Sequence, residues 1–215
     1  MSSRAERVRG IYVVTDRRLT GGRPLAEVAG AAARGGAAAV QLREKDLTAA
    51  ELWRLGREVL TAARAAGALF LVNGRLDVAL ALGADGVHLG GDALPVGEAR
   101  RVAGPAFLIG ASVHSVAEAV AAASQGADYL LFGNVFETAS KPGLAGRGLA
   151  ALAAVCAAVP VPVLAIGGLA AGNVAEARRA GAAGAAVRAA VMAAADPEAA
   201  VRELRAAWEA AGTRG

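Results

Sequence analysis

The chain contains a single cysteine and few aromatic residues, and both shortages limit what it can be. One thiol, Cys156, cannot form a disulfide framework or a cysteine-rich metal site. Its neighbours in the segment AAVCAAV predict a small residue in the core of a helix. Aromatic residues make up 4% of the sequence and hydrophobic residues 55%, so the core must be largely aliphatic and rich in alanine.

Long apolar segments and clusters of like charge are also missing. No apolar run approaches the ~18–20 residues needed to span a membrane, and the polar start MSSRAERVRG lacks the apolar segment of a signal peptide. The formal net charge is +4, but the lysines and arginines are scattered and form no basic run. We therefore expect a cytoplasmic protein that binds neither a membrane nor nucleic acid.

Short apolar runs alternate with alanine-rich segments of helical spacing along the chain. This alternation is typical of a parallel sheet with crossover helices, and the apolarity of the runs indicates strands buried on both faces. The predicted strands are Ile11–Thr15, Ala38–Leu42, Leu69–Val72, Gly86–Leu89, Phe107–Ile109, Tyr129–Phe132, Pro162–Ile166 and Ala185–Val187. The predicted helices are Leu25–Arg34, Ala49–Ala65, Asp77–Leu82, Val96–Val102, Val116–Ser124, Leu149–Val159, Val174–Ala180 and Pro197–Ala211.

Eight strands at a mean spacing of roughly 25 residues predict a closed (β/α)8 barrel, of the TIM-barrel class. The alternative is an open doubly wound sheet. Such a sheet more typically shows a glycine-rich fingerprint after its first strand, where this chain has Thr15-Asp16-Arg17-Arg18. No linker rich in Pro, Gly or Ser interrupts the pattern, so we expect one domain over residues 1–215.

Polar, cationic or glycine-rich residues follow each predicted strand, at the end of the barrel where this fold carries its chemistry. Arg43 and Lys45 follow the second strand and are candidates for holding an anionic group. Arg43 has the alternative of pairing with Glu44. Asn73, at the end of the third strand, is assigned to substrate binding.

The segment Phe132–Gly148 is a long glycine-rich loop after the sixth strand. Compact domains rarely contain a loop of about 15 residues unless it is a lid or a binding site. Its Lys141 is a further candidate for contact with an anion, and Thr138 and Ser140 could add hydroxyl donors. We expect this loop to fold over a small anionic molecule, although a solvated loop with incidental charges is the alternative.

A glycine pair after the seventh strand and loop amides after the eighth predict a phosphate site. Gly167 and Gly168 have no side chains to keep an oxyanion from the backbone. Arg188 and Ala189, after the eighth strand, can offer further N–H donors. The loops after strands seven and eight commonly bind phosphate in barrels. The alternative is that the glycine pair only forms a tight turn.

The chain has two histidines, and they differ in context. His88 lies within an apolar run, which favours a packed structural residue. His114 follows the fifth strand, just before a helix that Ser115 and Glu118 predict to begin with a capping box. An imidazole at this end of a barrel can act as a general acid and base, because histidine titrates near physiological pH.

Five motifs carry a resemblance to a known family: IYVVTD, VQLREK, ADGVHLGGDALP, GADYLLFG and AIGG. In order and spacing they resemble the thiamine phosphate synthase superfamily over nearly the whole chain. Within it, the segments LVNGRLDVAL, SVHSVAEAV and FGNVFETASKPGLAGRG resemble the branch of thiazole tautomerases, the TenI proteins.

The chain departs from the synthase pattern at the positions that hold Mg²⁺ in synthases. Gly74 and Ala93 stand where the synthases carry aspartates, and Glu137 replaces a proline in the loop after strand six. The remaining acidic residues near these strand ends, Asp77 and Asp92, offer a poor metal site. We therefore expect neither a metal nor another cofactor.

The resemblance implies a thiazole tautomerase that converts a non-aromatic dihydrothiazole phosphate carboxylate into the aromatic thiazole. It implies that His114 is the acid/base, that Arg43, Lys45 or Lys141 holds the carboxylate, and that the backbone at Gly167, Gly168, Arg188 and Ala189 holds the phosphate. It also implies a homodimer. The alternatives are a thiamine phosphate synthase, a non-catalytic regulator that binds thiazole phosphate, and an isomerase of another phosphorylated substrate.

Overall fold

A closed barrel of eight parallel strands forms the centre of the molecule in this computed structural model, which describes residues 4–138 and 143–212. Each strand pairs with the next along the chain, and the eighth pairs with the first, so the predicted (β/α)8 barrel is confirmed. The strands are β1 (Gly10–Val14), β2 (Ala39–Leu42), β3 (Leu69–Asn73), β4 (Gly86–Leu89), β5 (Leu108–Val113), β6 (Tyr129–Gly133), β7 (Val163–Ile166) and β8 (Gly184–Val187).

Helices surround the barrel and cover the outer faces of the strands. They are α1 (Leu25–Arg34), α2 (Ala49–Ala65), α3 (Leu76–Ala81), α4 (Val96–Ala103), α5 (Val116–Ser124), α6 (Gly148–Ala158), α7 (Val174–Arg179), α8 (Ala189–Met192) and α9 (Pro197–Ala210). Among the described residues, no helix has both the length and the apolar character needed to cross a bilayer. Cys156 lies half-buried in α6, and burial raises the pKa of its thiol to about 11.

Two elements differ from the sequence prediction in ways that affect the site. The fifth strand runs from Leu108 to Val113, beyond the predicted Phe107–Ile109, so Ser112 lies inside the strand. The one-turn helix α8 occupies what the sequence predicted as a loop after the eighth strand. Both differences place additional ordered backbone at the carboxyl end of the barrel.

Aliphatic and tyrosine side chains fill the interior of the barrel. Tyr12 and Tyr129 are fully buried, and their hydroxyl oxygens lie 2.9 Å apart. A Cβ atom at Gly110 would overlap the ring of Tyr129, so glycine at this position makes room for the tyrosine pair. This packed layer fills the barrel below the cavity at its carboxyl end.

Candidate functional site

A cavity of about 300 Å³ opens at the carboxyl end of the barrel, and all eight strands or their following loops contribute to its lining. The volume is at the small end of the range for ligand pockets. Inward-facing positions alternate with outward-facing ones along each strand, which brings side chains distant in sequence to this single cavity.

The structure brings most of the sequence-predicted site residues to this cavity. Those that line it are Arg43, Asn73, His114, Gly167, Gly168, Arg188 and Ala189. Lys45 is not among the lining residues, because its ammonium group forms a 2.8 Å ion pair with the Asp92 carboxylate. Lys141 and Ser140 lie outside the described residues, whereas Thr138 lines the cavity.

His114 is held by a carboxylate that the sequence had indicated only as a helix cap. The Glu118 carboxylate accepts a 2.9 Å hydrogen bond from the His114 backbone N–H and lies 3.1 Å from its Nδ1. Ser115 caps α5, because its hydroxyl accepts from the Glu118 N–H at 3.2 Å. In a full capping box the Glu118 carboxylate would accept from the Ser115 N–H, but here it contacts His114 instead. Because an ionised carboxylate only accepts, it favours the tautomer with hydrogen on Nδ1 and leaves Nε2 to exchange protons with a ligand.

The charge on Glu118 is itself stabilised by this arrangement. Partial burial works to raise the pKa of the Glu118 carboxyl, but the backbone and side-chain hydrogen bonds from His114 outweigh it. The pKa of Glu118 therefore lies below its ordinary value, and the group is an anion near neutral pH. A carboxylate behind an imidazole orients the ring.

His88 is a buried residue, as the sequence indicated, but its ring also lines the cavity. Its Nε2 lies 2.8 Å from the Ser112 hydroxyl, and its ring packs against Tyr129 with the centroids 5.8 Å apart. The pKa of His88 is lowered to about 3, mainly by burial and to a lesser extent by the nearby charge of Arg43. The imidazole is therefore neutral at physiological pH.

Two arginines supply positive charge to the cavity. The alternative pairing of Arg43 with Glu44 is not seen in the described residues, because Glu44 accepts from Thr15 Oγ1 at 2.7 Å and from Arg17 at 3.0 Å. The pKa of the Arg43 guanidinium is lowered from its usual value, mainly by burial and secondly by the like charge of Arg188. An anion between these guanidinium groups would relieve their repulsion.

Arg188 is fixed in place by a carboxylate near the end of β1. Its guanidinium lies 3.2 Å from the side chain of the buried Asp16, which also caps the short helix Arg17–Leu19. The sequence did not indicate this contact, because the two residues are 172 positions apart and meet only when β8 pairs with β1.

Gly167 and Gly168 form a sharp turn against the loop that follows β6. Both have positive φ angles, 99° and 68°, which side-chain-bearing residues rarely adopt. A Cβ at Gly167 would lie 2.5 Å from that of Asn134, and one at Gly168 would overlap the backbone of Glu137. The Phe136 N–H donates to the Gly167 carbonyl at 3.1 Å. The two glycines therefore allow the loop after β6 to pack closely against the turn, and they also line the cavity.

The cavity suits an anion and does not suit a bound divalent cation. Among the described residues, its lining contains Arg43, Arg188 and His114 but no aspartate or glutamate. Asp77 forms an ion pair with Arg75, and the described part of the chain has no cluster of three or more His, Cys, Asp or Glu arranged for a metal. Mg²⁺ sites need carboxylate oxygens, so these residues do not fit the metal of a diphosphate enzyme.

Comparisons with known proteins match this chain to one family. Residues 11–191 match the family model described as thiamine monophosphate synthase. A thiamine-phosphate synthase from Methanoculleus marisnigri is 52% identical over 203 residues, covering 91% of this chain and 93% of that protein. One from Roseiflexus castenholzii is 50% identical, covering 90% of this chain and 86% of that protein.

A solved structure supports the same grouping. Thiamine phosphate pyrophosphorylase from Pyrococcus furiosus superposes with a TM-score of 0.89 at 40% identity, covering 98% of this chain and 100% of that one. The two sequence relatives are named thiamine-phosphate synthase, the alternative to the predicted tautomerase, and the solved structure is named thiamine phosphate pyrophosphorylase. None of the three is named a tautomerase. The chain belongs to the thiamine monophosphate synthase family.

Proposed function

We propose that this chain is an enzyme of thiamin biosynthesis that binds a thiazole phosphate carboxylate and catalyses its metal-independent tautomerisation. The observation that carries the proposal is the composition of the cavity. It combines two arginines and an oriented histidine with no carboxylate among its described lining residues. That set suits a multiply charged anionic substrate and the movement of one proton.

The proposed reaction moves a proton between two carbons of the substrate. The C–H bond on the ring carbon beside the carboxylate breaks, the exocyclic carbon gains a hydrogen, and the double bonds shift to give the aromatic thiazole. No electrons leave or enter. His114 Nε2 is the group that gives and takes the proton, and Glu118 holds the ring in position.

Two anchors orient the substrate in this proposal. Arg43 is the first choice for the carboxylate, because its guanidinium lines the cavity and can form two parallel hydrogen bonds. The phosphate is assigned to the turn at Gly167 and Gly168 and to the residues after β8, Arg188 and Ala189, which line the same cavity. Holding both ends converts the proton transfer into a well-oriented local step.

The second candidate is coupling of a pyrimidine diphosphate to the thiazole phosphate, the synthase activity. The names of the relatives favour it, at identities of 50–52% over about nine tenths of the chain. The residues at the two expected metal positions, Gly74 and Ala93, oppose it, as do the pairings of Asp77 with Arg75 and of Asp92 with Lys45. The aromatic thiazole phosphate is the product of the first candidate reaction and a substrate of the second, so both candidates require a site that binds it.

Two assays on the same preparation separate the candidates. The first follows appearance of the aromatic thiazole by ultraviolet absorbance, starting from the dihydrothiazole phosphate carboxylate in EDTA. The second measures thiamine phosphate formed from the pyrimidine diphosphate and the thiazole phosphate with excess Mg²⁺. We expect turnover in the first and none in the second. Coupling without tautomerisation would replace the proposed function with the synthase.

A further inference from the structure

One residue that lines the cavity, His88, contains a polar atom that has no partner in the described residues. His88 is 2% exposed, and its Nδ1 is fully buried without a hydrogen bond from those residues. The same ring lines the cavity. A buried ring nitrogen left unpaired costs free energy, so such an atom beside a ligand pocket points to a ligand as its partner.

The other contacts of the ring fix its position and leave Nδ1 as the ring nitrogen without a hydrogen bond in the described residues. Nε2 is 2.8 Å from the Ser112 hydroxyl on β5, and Tyr129 on β6 packs against the ring with the centroids 5.8 Å apart. Ser112 can donate to Nε2 or accept from it. When it donates, Nδ1 carries the hydrogen and can donate to a ligand.

The charge state of the ring supports a role in recognition. Burial and the neighbouring Arg43 hold the pKa of His88 far below neutrality, so the ring adds no charge to the cavity. A neutral N–H is suited to a neutral acceptor, whereas the arginines are suited to the anionic ends of a substrate. The ring nitrogen of an aromatic thiazole is a neutral acceptor of this kind.

We propose that Nδ1 of His88 donates a hydrogen bond to the ring nitrogen of the bound thiazole and so positions the heterocycle beside His114. The proposal rests on the substrate class given under the proposed function. His88 is a positioning residue in this account, because His114 carries out the proton transfer.

Two substitutions at His88 separate recognition from structure. In His88→Asn the side-chain amide nitrogen occupies the position of Nδ1, and the contact with Ser112 is lost. In His88→Gln the amide nitrogen occupies the position of Nε2, so the contact with Ser112 is kept and the one made by Nδ1 is lost. Titration calorimetry with the aromatic thiazole phosphate carboxylate measures affinity, and thermal unfolding of each variant measures the structural effect.

The expected pattern is specific. His88→Asn should bind the probe within about threefold of the wild-type affinity, and His88→Gln should bind it at least about tenfold more weakly. The reverse order would show that His88 acts only through Ser112, and equal affinities would show that Nδ1 touches no ligand. If the wild type does not bind the probe, the proposed function fails together with the role of His88. If the wild type binds and the variants do not follow the expected order, only the role of His88 fails.

A measurement on the unsubstituted protein covers the case in which a variant does not fold. The chain has two histidines, so ¹⁵N-histidine labelling gives few signals, and His114→Asn assigns them. Adding the probe should shift the Nδ1 resonance of His88 and leave its Nε2 resonance nearly unchanged. An unchanged Nδ1 resonance in a saturated complex would overturn the proposal.

Discussion

Glu118 shows how one side chain determines what a neighbouring histidine can do. It lies one turn into α5, and its carboxylate reaches back to the backbone N–H and Nδ1 of His114. The contact leaves the opposite ring nitrogen for the cavity. A histidine without this support would lose its fixed tautomer and orientation.

Replacing Glu118 should therefore slow the reaction without greatly weakening substrate binding. A hydrogen bond to a charged group contributes about 1.5–3 kcal/mol, so we expect Glu118→Ala to reduce kcat by roughly 10–100-fold with a small change in KM. Steady-state kinetics of the metal-free tautomerisation provide the measurement. Glu98→Ala, which removes a glutamate from an exposed pair with Arg101, is the matched control. A loss confined to KM would contradict the role assigned to Glu118.

The neutral state of His88 makes folding stability depend on pH. The pKa of the folded residue is about 3, and an unfolded histidine titrates near 6.5. The unfolded chain therefore binds this proton first, and stability is lost as the pH falls from about 6.5 toward 3. In His88→Asn this contribution disappears. Denaturant unfolding at several pH values should show the wild type losing about 1.4 kcal/mol per pH unit more than the variant between about pH 6 and 4. Parallel curves would show that His88 is protonated in the folded state.

At the residue scale, the sequence predicted which side chains reach the cavity better than it predicted their partners. Position after a strand was enough to select His114 and Arg43, because strand ends converge in a barrel. The pairing of Lys45 with Asp92 and of Arg188 with Asp16 depends on neighbouring strands, and no local pattern carries that information.

At the scale of elements, the turn after β7 and the loop after β6 depend on each other. The Val135 and Phe136 N–H groups donate to the Ile166 and Gly167 carbonyls at 2.9 and 3.1 Å, which extends the strand pairing beyond the barrel. This extension approaches so closely that no side chain fits at Gly167 or Gly168. The two segments therefore form one wall of the cavity.

Adding a methyl group to this wall should disturb both stability and phosphate binding. In Gly168→Ala the new Cβ would lie 2.7 Å from the Phe136 Cβ, at a φ of 68° that alanine disfavours. We expect a loss of about 1–3 kcal/mol in the free energy of unfolding and at least about tenfold weaker binding of the thiazole phosphate. Gly172→Ala is the control, since nothing lies within 4 Å of its added Cβ. Equal behaviour of the two variants would contradict the close approach.

The sequence predicted the order of these elements but not all of their ends. Apolar runs locate strands reliably in a parallel barrel, because both faces are buried. That criterion stopped β5 at Ile109, since Gly110 ends the run of large apolar residues and Ser112, two positions on, is polar. It also missed α8, because a helix of four residues is too short to show a helical repeat.

At the scale of the whole molecule, the names of the relatives and the composition of the cavity favour different candidate functions. The relatives are named thiamine-phosphate synthases, whereas the described lining of this cavity has arginines and histidines and no carboxylates. Fold and family are compatible with both candidate functions, because the activity of a barrel enzyme depends on the residues at its site. Independence from metal, a homodimeric state and the absence of nucleic-acid or membrane partners remain predictions.

The most direct test of the account compares the wild type with His114→Asn in converting the dihydrothiazole phosphate carboxylate to the aromatic thiazole in EDTA. We predict rapid conversion by the wild type and a fall in kcat of at least about a hundredfold in the variant, the lower range for loss of a general acid/base. Affinity for the aromatic product should change little. Equal rates for the two proteins, or no acceleration over buffer by the wild type, would contradict the proposed proton transfer by His114.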